Sequence, residues 1–384
     1  MSQQPKTFPD LAGPRRWRSR LDGLRARAAS GREGRHLITR HAIEFTLDRL
    51  AGGAAPRPHE RPIAALAADA VALARSLPAA ARERLRERVR ESLDGEATLV
   101  PLFHLLRTAV LQRARGFEVR FAGLEGECFD LLIARDGAAA EIACDVVSAE
   151  EGRDVHRGAW VRLVDQVDPD LQTWLAAHPG RYLLKLTLPQ GLRAADASLP
   201  ALHTRIREML ATRRRSDHDE AAVLRLDPLM LAASQADEAG LLRSMREAFG
   251  EQAHLALTNA GGSVLVMAAR AGREDEIAAA IHRRLAALAP ARLSGTRPGV
   301  LAVLVEDTDA REWRGLRERL ELEGEAWQFL TRPEARAVVA VSCCSRLELF
   351  AATGAAPEGE LRFRNPGHPA AKATALAPSI LSSL

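Results

Sequence analysis

The chain has 384 residues, of which 47% are hydrophobic and 27% are charged, and its formal net charge is +4. This composition is ordinary for a globular protein with a sizeable core, and it excludes an intrinsically disordered chain. No apolar run approaches the roughly 18 residues of a membrane-spanning helix, and the length admits two or three domains or one large decorated domain.

Arginine carries nearly all of the positive charge, because the only lysines are Lys6, Lys185 and Lys372. Guanidinium groups bind phosphate bidentately and stack on bases, which favours nucleic acid as a partner. A GC-rich genome, whose codons favour arginine and alanine together, is the alternative explanation. A mildly basic charge serves phosphate binding and solubility equally, so composition leaves both explanations open.

The cysteines indicate a compartment rather than a site. Their spacing does not match a zinc-binding pattern, so we expect free thiols in a reducing cytoplasm. The N-terminal segment has paired arginines but no apolar segment after them, so we predict no signal peptide. The four cysteines are Cys128, Cys144, Cys343 and Cys344.

The front of the chain is predicted to be helical. Residues 1–20 are polar and basic, which predicts a disordered basic arm, and residues 21–95 predict a helical N-terminal domain. Pro78 divides residues 63–93 into two helices. The alternating Glu and Arg residues of the second helix predict a face in contact with solvent.

Residues 96–350 alternate strand and helix patterns, which indicates an α/β core. Residues 351–384 are rich in Pro and Gly and predict an irregular tail. The predicted strands lie at 117–122, 181–188, 221–231, 254–259, 263–270, 299–307, 335–343 and 347–352. The predicted helices lie at 99–115, 160–180, 199–215, 240–250, 273–289 and 313–323.

A hairpin is the most specific element of the core. Asp136-Gly137 is a favoured pair for a two-residue type I′ turn, and this turn pairs Arg135 with Ala138, Leu132 with Glu141, and Asp130 with Ala143. Side chains alternate between the two faces of a strand. Asp130, Glu141 and Asp145 therefore share one face, opposite an apolar face formed by Ile142, Cys144 and Val146.

Three carboxylates on one face could hold a divalent cation. Mg²⁺ prefers oxygen ligands and usually takes one or two carboxylates together with water and phosphate. Such a site can activate water and stabilise the leaving oxygen of a phosphodiester. The residues predicted to be catalytic are Asp130, Glu141 and Asp145, and Asp130 and Glu141 are the predicted metal ligands.

The order helix (99–115), strand (117–122), hairpin, helix (160–177), strand (181–188) resembles the core of the PD-(D/E)XK nuclease superfamily. Two short segments are also similar to the family: Ser148-x-x-x-Gly-Arg-x-x-His156 and "SGTRPGVLAVLVED" at 294–307. The resemblance covers residues 96–310 in outline. It implies a restriction-endonuclease-like mixed sheet flanked by helices, with a helical N-terminal domain, and Mg²⁺ if the site is active.

The family places Asp on the first hairpin strand and Glu-x-Lys on the second, and the chain departs from this pattern. If Glu141 is the family's Glu, the Lys position holds Ala143. If Cys144 aligns with the centre of Glu-Cys-Lys, the Lys position holds Asp145. The lysine is absent from its strand in both alignments, and Lys185 on a later strand is the only mid-chain substitute, so we predict a degenerate active site.

Arginine and histidine residues near the second strand could contact a phosphate backbone. Arg153, His156 and Arg157 are the predicted nucleic-acid-binding residues, and a solvated helix start is the alternative. The cationic segment 15–35 could also bind nucleic acid through counterion release. The sequence thus supports a nuclease-like protein that acts on or binds DNA or RNA, or a non-catalytic protein-interaction module on the same fold; it identifies no protein partner.

Overall fold

The computed structural model describes residues 6–29, 31–193, 198–229, 237–250 and 252–383. The chain forms two compact units. The larger unit comprises residues 1–26, 38–151 and 278–384, and the smaller unit comprises residues 27–37 and 152–277. Each unit contains one mixed β-sheet, so the predicted α/β class is confirmed.

The described helices and strands are numbered separately in chain order. The helices are α1 (Phe8–Ala12), α2 (Pro14–Arg27), α3 (Gly31–Arg40), α4 (Ala42–Ala51), α5 (Arg61–Ser76), α6 (Ala79–Glu91), α7 (Val100–Ala114), α8 (Ala122–Glu125), α9 (Arg157–Ala177), α10 (Ser198–Ala211), α11 (Glu238–Phe249), α12 (Ile277–Arg292), α13 (Ala310–Glu318), α14 (Glu321–Leu330), α15 (Arg346–Leu349) and α16 (Ala377–Ile380). The strands are β1 (Glu118–Arg120), β2 (Leu131–Arg135), β3 (Ala138–Ser148), β4 (Arg181–Leu188), β5 (Ser216–His218), β6 (Val223–Pro228), β7 (His254–Ala260), β8 (Ser263–Ala271), β9 (Gly299–Glu306), β10 (Val338–Ser345) and β11 (Leu361–Arg364).

The sheet of the larger unit has the order β1-β2-β3-β9-β10-β11. The first three strands pair antiparallel, β3, β9 and β10 pair in parallel, and β11 returns antiparallel on β10. All eight residues of β9 are buried. A strand buried on both faces is continuously apolar, which is the pattern of "GVLAVLVE".

The predicted disordered arm is wrong from Phe8 onward. Helices α1 and α2 cover this segment, and Phe8, Trp17 and Leu21 are buried in the core of the larger unit. Residues 1–5 lie outside the described part of the chain. Trp17 and Leu21 are four residues apart on one face of α2 and are buried together with Phe8 of α1. This burial of apolar surface orders a segment whose polar and basic composition predicted disorder.

The predicted separate helical domain at 21–95 is also wrong. Ile63 of α5, Leu85 of α6 and Phe103 of α7 share one hydrophobic core with Ile142 of β3. These helices therefore cover one face of the sheet instead of forming a core of their own. Their individual bounds agree with the prediction, including the break at Pro78.

Three further predictions for the rear of the chain need correction. The strand predicted at 347–352 is helix α15, because Ser345 and Glu348 form a capping box at its start. The helix predicted at 313–323 is divided between α13 and α14 at Leu320. The tail predicted to be irregular contributes β11, which completes the sheet.

The smaller unit contains a five-stranded sheet of order β5-β6-β4-β8-β7. Helices α9 and α10 pack against it around Trp160, Leu171 and Leu202. The strand predicted at 181–188 is β4, so its bounds are confirmed. It lies in this second sheet, however, and not beside the hairpin as the resemblance implied. Among the described residues, no helix combines the length and the apolar character that crossing a membrane requires.

Candidate functional site

The predicted hairpin is confirmed. Asp136 and Gly137 have φ angles of 49° and 79°, which is the positive-φ pair that a type I′ turn requires. Arg135 pairs with Ala138 and Leu132 pairs with Glu141, as predicted. Asp130 lies just before this ladder, and its backbone N–H donates to the carbonyl of Ile142 at 3.0 Å.

The two faces of β3 separate as the alternation predicts. Ile142, Cys144 and Val146 pack in or against the core of the larger unit. Asp145 contacts helix α12 and Glu141 contacts the residues that follow it, whereas Asp130 contacts both α6 and α12. The three predicted carboxylates therefore share a face, but each is engaged by a different group of the chain.

Asp130 is 3% exposed and is held by two guanidinium groups. Nη1 of Arg88 lies 3.0 Å from Oδ1, and Nη2 of Arg292 donates to Oδ2 at 2.7 Å. The backbone N–H of Cys144 donates to Oδ2 at 2.9 Å. Burial raises the pKa of the Cys144 thiol well above its usual value, and the nearby Asp130 carboxylate raises it further.

Glu141 is fully buried and is held mainly by Ser294. Nη1 of Arg297 lies 3.5 Å from Oε1. Asp145 pairs with Arg284 of α12, whose Nε donates to Oδ2 at 2.5 Å and whose Nη2 donates to Oδ1 at 3.3 Å. Each predicted acid is thus neutralised or hydrogen-bonded by the chain itself.

Asp130 and Asp145 line a cavity of about 570 Å³ in the larger unit. Its lining includes six carboxylates and three arginines, the latter being Arg40, Arg88 and Arg292. At its far side the cavity reaches Ser148 and Glu306 at the carboxyl ends of β3 and β9. Crevices at this edge are the usual ligand sites of open α/β sheets.

Glu306 is a site residue that the sequence did not indicate. It is 7% exposed, Nη2 of Arg346 lies 3.2 Å from its Oε1, and the Thr98 hydroxyl lies 3.5 Å from the same oxygen. Burial raises the pKa of Glu306 above its usual value, and the negative charge of the neighbouring Asp307 raises it further. A single acidic residue at the end of an apolar strand gave no signal that could distinguish it from surface charge.

The sequence also did not indicate the arginines that pair with Asp130 and Asp145. Arg88 lies on α6, whose charged face was predicted to be solvated, and Arg292 and Arg284 lie on α12, far along the chain. The four-residue spacing of Arg84 and Arg88 was the available signal, because it places both on one helical face. Arg84 donates from the same face to the carbonyl of Leu124 at 2.7 Å.

The predicted metal site does not fit these residues. Among the described residues, no group of three or more His, Cys, Asp or Glu side chains could hold a metal ion. The oxygens of Asp130 are engaged by Arg88 and Arg292, and those of Glu141 by Ser294. A cation would have to displace these donors, and it would then lie beside two guanidinium groups.

Arg153, His156 and Arg157 belong to the smaller unit, whereas the three acids belong to the larger. Arg153 is 2% exposed, so its guanidinium is not available to a phosphate backbone in this conformation. His156 and Arg157 lie at the start of α9 and are partly exposed. The candidate lysine, Lys185, is on β4 and pairs with Asp227 at 3.0 Å.

No protein-family model, curated protein or solved structure matches the chain.

Proposed function

We propose that the larger unit is a PD-(D/E)XK nuclease-like module that binds nucleic acid and does not hydrolyse it. The observation that carries this proposal is the double ion pair of Asp130 with Arg88 and Arg292. In an active member this aspartate would hold a metal ion. Here two cations of the chain already occupy its oxygens, in a site where the carboxylate is buried.

The order of elements supports a restriction-endonuclease-like fold. If the smaller unit is treated as an insertion after β3, and apart from the four-residue helix α8 between β1 and β2, the order from α7 to β9 is α7, β1, hairpin β2–β3, α12, β9. This is the helix, strand, hairpin, helix, strand order on which the resemblance rests. Helix α12 and β9 then replace the segments 160–177 and 181–188, which the sequence had suggested for these roles.

The missing lysine supports a non-catalytic site. One alignment puts Asp145 at its position, and Asp145 is paired with Arg284. The other puts Ala143 there, and Ala143 is fully buried. Neither side chain can activate water as a lysine amine does, and Lys185 belongs to the sheet of the smaller unit.

A second candidate is the non-catalytic protein-interaction module. The observation that favours it is the lining of the cavity, in which carboxylates outnumber arginines by six to three. Such a surface attracts a basic protein segment more readily than a long polyanion. The free cysteines Cys128, Cys144, Cys343 and Cys344 support a cytoplasmic location for either function.

Cleavage and binding assays together test the proposed function. Linear, circular and single-stranded DNA and RNA are incubated with Mg²⁺ or Mn²⁺ and either the wild type or Asp130→Ala, with the exposed Asp69→Ala as the matched control. Binding is measured by fluorescence anisotropy in EDTA. We expect binding without hydrolysis. Cleavage by the wild type and Asp69→Ala that disappears in Asp130→Ala would show an active nuclease instead.

A further inference from the structure

The charges around Asp130 do not cancel. One carboxylate faces the two guanidinium groups of Arg88 and Arg292, which leaves one positive charge in excess. The Asp130 side chain is 3% exposed, whereas those of Arg88 and Arg292 are 34% and 35% exposed. The negative charge is therefore covered, and the positive charge is presented to the cavity that both arginines line.

The two guanidinium groups retain hydrogen-bond donors. Arg88 uses Nη1 for Asp130, while Arg292 uses Nη2 for Asp130 and Nε for the carbonyl of Cys128 at 2.9 Å. Within the described part of the chain, Nε and Nη2 of Arg88 and Nη1 of Arg292 have no hydrogen-bond partner. Asp130 thus fixes both groups and leaves donors for a tetrahedral anion, the acceptor that guanidinium forks match best.

The remaining acids of the cavity restrict the size of that anion. Asp145 and Glu306 are paired with Arg284 and Arg346, so the chain compensates their charges. Glu91, Glu96 and Glu151 also line the cavity but are exposed. A strand that crossed the cavity would bring several successive phosphates past these rim acids, each carrying a negative charge. A terminal phosphate inserts one group, and it carries about −1.5 to −2 charge.

We propose that Arg88 and Arg292 stand where a nuclease would hold its metal ion, and that they bind the terminal phosphate of a nucleic-acid strand without a metal. This inference rests on the proposed function, because it names the part of a nucleic acid that the module recognises. The positive charges of the two arginines replace those of a divalent cation at Asp130. Without a metal-bound water or a lysine, the phosphate is held and not cleaved.

Direct binding tests this assignment. One short single-stranded oligonucleotide is prepared with a 5′-phosphate, with a 3′-phosphate and with hydroxyls at both ends, and each form is titrated in EDTA. We expect at least one phosphorylated form to bind about tenfold or more tightly than the unphosphorylated form, as one or two charge-assisted hydrogen bonds provide. Inorganic phosphate at high concentration should remove this preference.

Variants identify the groups responsible. Arg88→Gln and Arg292→Gln should each abolish the preference for phosphate, while Arg86→Gln on the same helix should preserve it. Asp130→Asn should bind the phosphorylated strand at least as tightly in EDTA, because the guanidinium groups lose a competing anion. Circular dichroism and thermal unfolding check the folding of each variant, and Asp130→Asn tests the proposal even if an arginine variant does not fold.

The possible failures are distinguishable. Equal binding of all three oligonucleotides, unaffected by Arg88→Gln, overturns the terminal-phosphate site but leaves nucleic-acid binding in place. Binding that requires Mg²⁺ and is lost in Asp130→Asn overturns the replacement of the metal. Absence of binding to any oligonucleotide, together with binding of an arginine-rich peptide, overturns the inference and the proposed function and assigns the cavity to a basic protein segment.

Discussion

Ser294 hydrogen-bonds both carboxylate oxygens of Glu141. Its backbone N–H donates to Oε2 at 2.8 Å, and its hydroxyl donates to Oε1 at 2.5 Å. Glu141 is fully buried, and its own backbone N–H donates to the carbonyl of Pro298 at 2.9 Å. The residue predicted to be catalytic therefore ties β3 to the connection between α12 and β9.

Glu141→Gln should reduce the free energy of unfolding by about 1–3 kcal/mol, because an amide nitrogen would face a donor in a buried site. Ser294→Ala should reduce the free energy of unfolding by about 1–2 kcal/mol, because the hydroxyl donor is lost. Urea denaturation measures both, with the exposed Glu91→Gln as the control. A Glu141→Gln protein as stable as the control would disprove the structural role.

The ion pairs of Asp130 should respond asymmetrically to mutation. Arg292→Gln leaves a buried carboxylate with one guanidinium and should reduce the free energy of unfolding by about 1–3 kcal/mol. Asp130→Asn leaves two partly exposed cations that water can reach and should reduce it by about 1 kcal/mol or less. Denaturation of both variants and of the double variant gives the coupling between the residues. A larger cost for Asp130→Asn would contradict the assigned burial.

His104 should make the protein sensitive to acid. Burial lowers its pKa from 6.5 to about 4, and its Nε2 lies 3.0 Å from the carbonyl oxygen of Ala302. Between these pKa values the unfolded chain binds more protons than the folded chain, so stability is complete above pH 6.5 and falls as the pH decreases toward 4. The loss is at most about 1.4 kcal/mol per pH unit.

Urea denaturation of His104→Gln between pH 4 and 7 checks this expectation. The variant should show a shallower loss of stability than the wild type, although its absolute stability is lower because it disturbs a packed site. His254 of the smaller unit, a partly exposed residue whose pKa is lowered to about 3 by desolvation, contributes a second proton to the wild-type slope. His59→Gln at the surface is the control, and identical slopes for wild type and His104→Gln would refute the assignment.

Asp165 of α9 caps the start of α3 in the smaller unit. The backbone N–H groups of Arg32 and Glu33 donate to its two oxygens at 3.0 and 2.7 Å. Asp165→Ala should reduce the free energy of unfolding by about 1 kcal/mol, and it should accelerate hydrogen exchange at these two amides. Gly31→Ala should have a similar or larger effect, because φ is +77° and the added Cβ would lie 2.5 Å from Asp165 Oδ2. Unchanged exchange in both variants would contradict the cap.

The cysteines should differ sharply in reactivity. Burial raises the pKa of Cys344 to about 12 and raises that of Cys343 as well, whereas Cys128 is exposed. Because the thiolate is the reactive species, we expect iodoacetamide to modify Cys128 in the native protein and to reach Cys343 and Cys344 only in denaturant. Peptide mass spectrometry reads this directly, and rapid native labelling of Cys344 would contradict its burial.

Local chemistry made the hairpin predictable. A turn that needs two positive φ angles leaves few residue choices, and Asp136-Gly137 then sets the register for every residue of β3. Pro78 similarly divides α5 from α6, because proline cannot continue a helix. The shared face of Asp130, Glu141 and Asp145 follows from the register alone.

The partners of these acids could not be predicted in the same way. Arg284 meets Asp145 of β3, and Arg292 meets Asp130 just before β2. Both contacts depend on β9, which pairs with β3 and follows α12 in the chain. The strands β4 and β9 are both apolar, and no periodicity distinguishes the one that joins the hairpin. The sequence pattern of α6 predicts that its arginines face solvent. The pattern shows which side chains share a face of the helix, but it does not show which carboxylate of another element lies opposite them.

The smaller unit closes on itself where its long segment begins and ends: the Glu276 N–H donates to the carbonyl of Gly152 at 2.7 Å. During synthesis, β3 therefore leaves the ribosome long before its parallel neighbour β9. At ordinary translation rates the delay is on the order of ten seconds. Throughout that interval one edge of β3 lacks its strand partner in the nascent chain, and the intervening segment has time to complete its own sheet before the larger one can close.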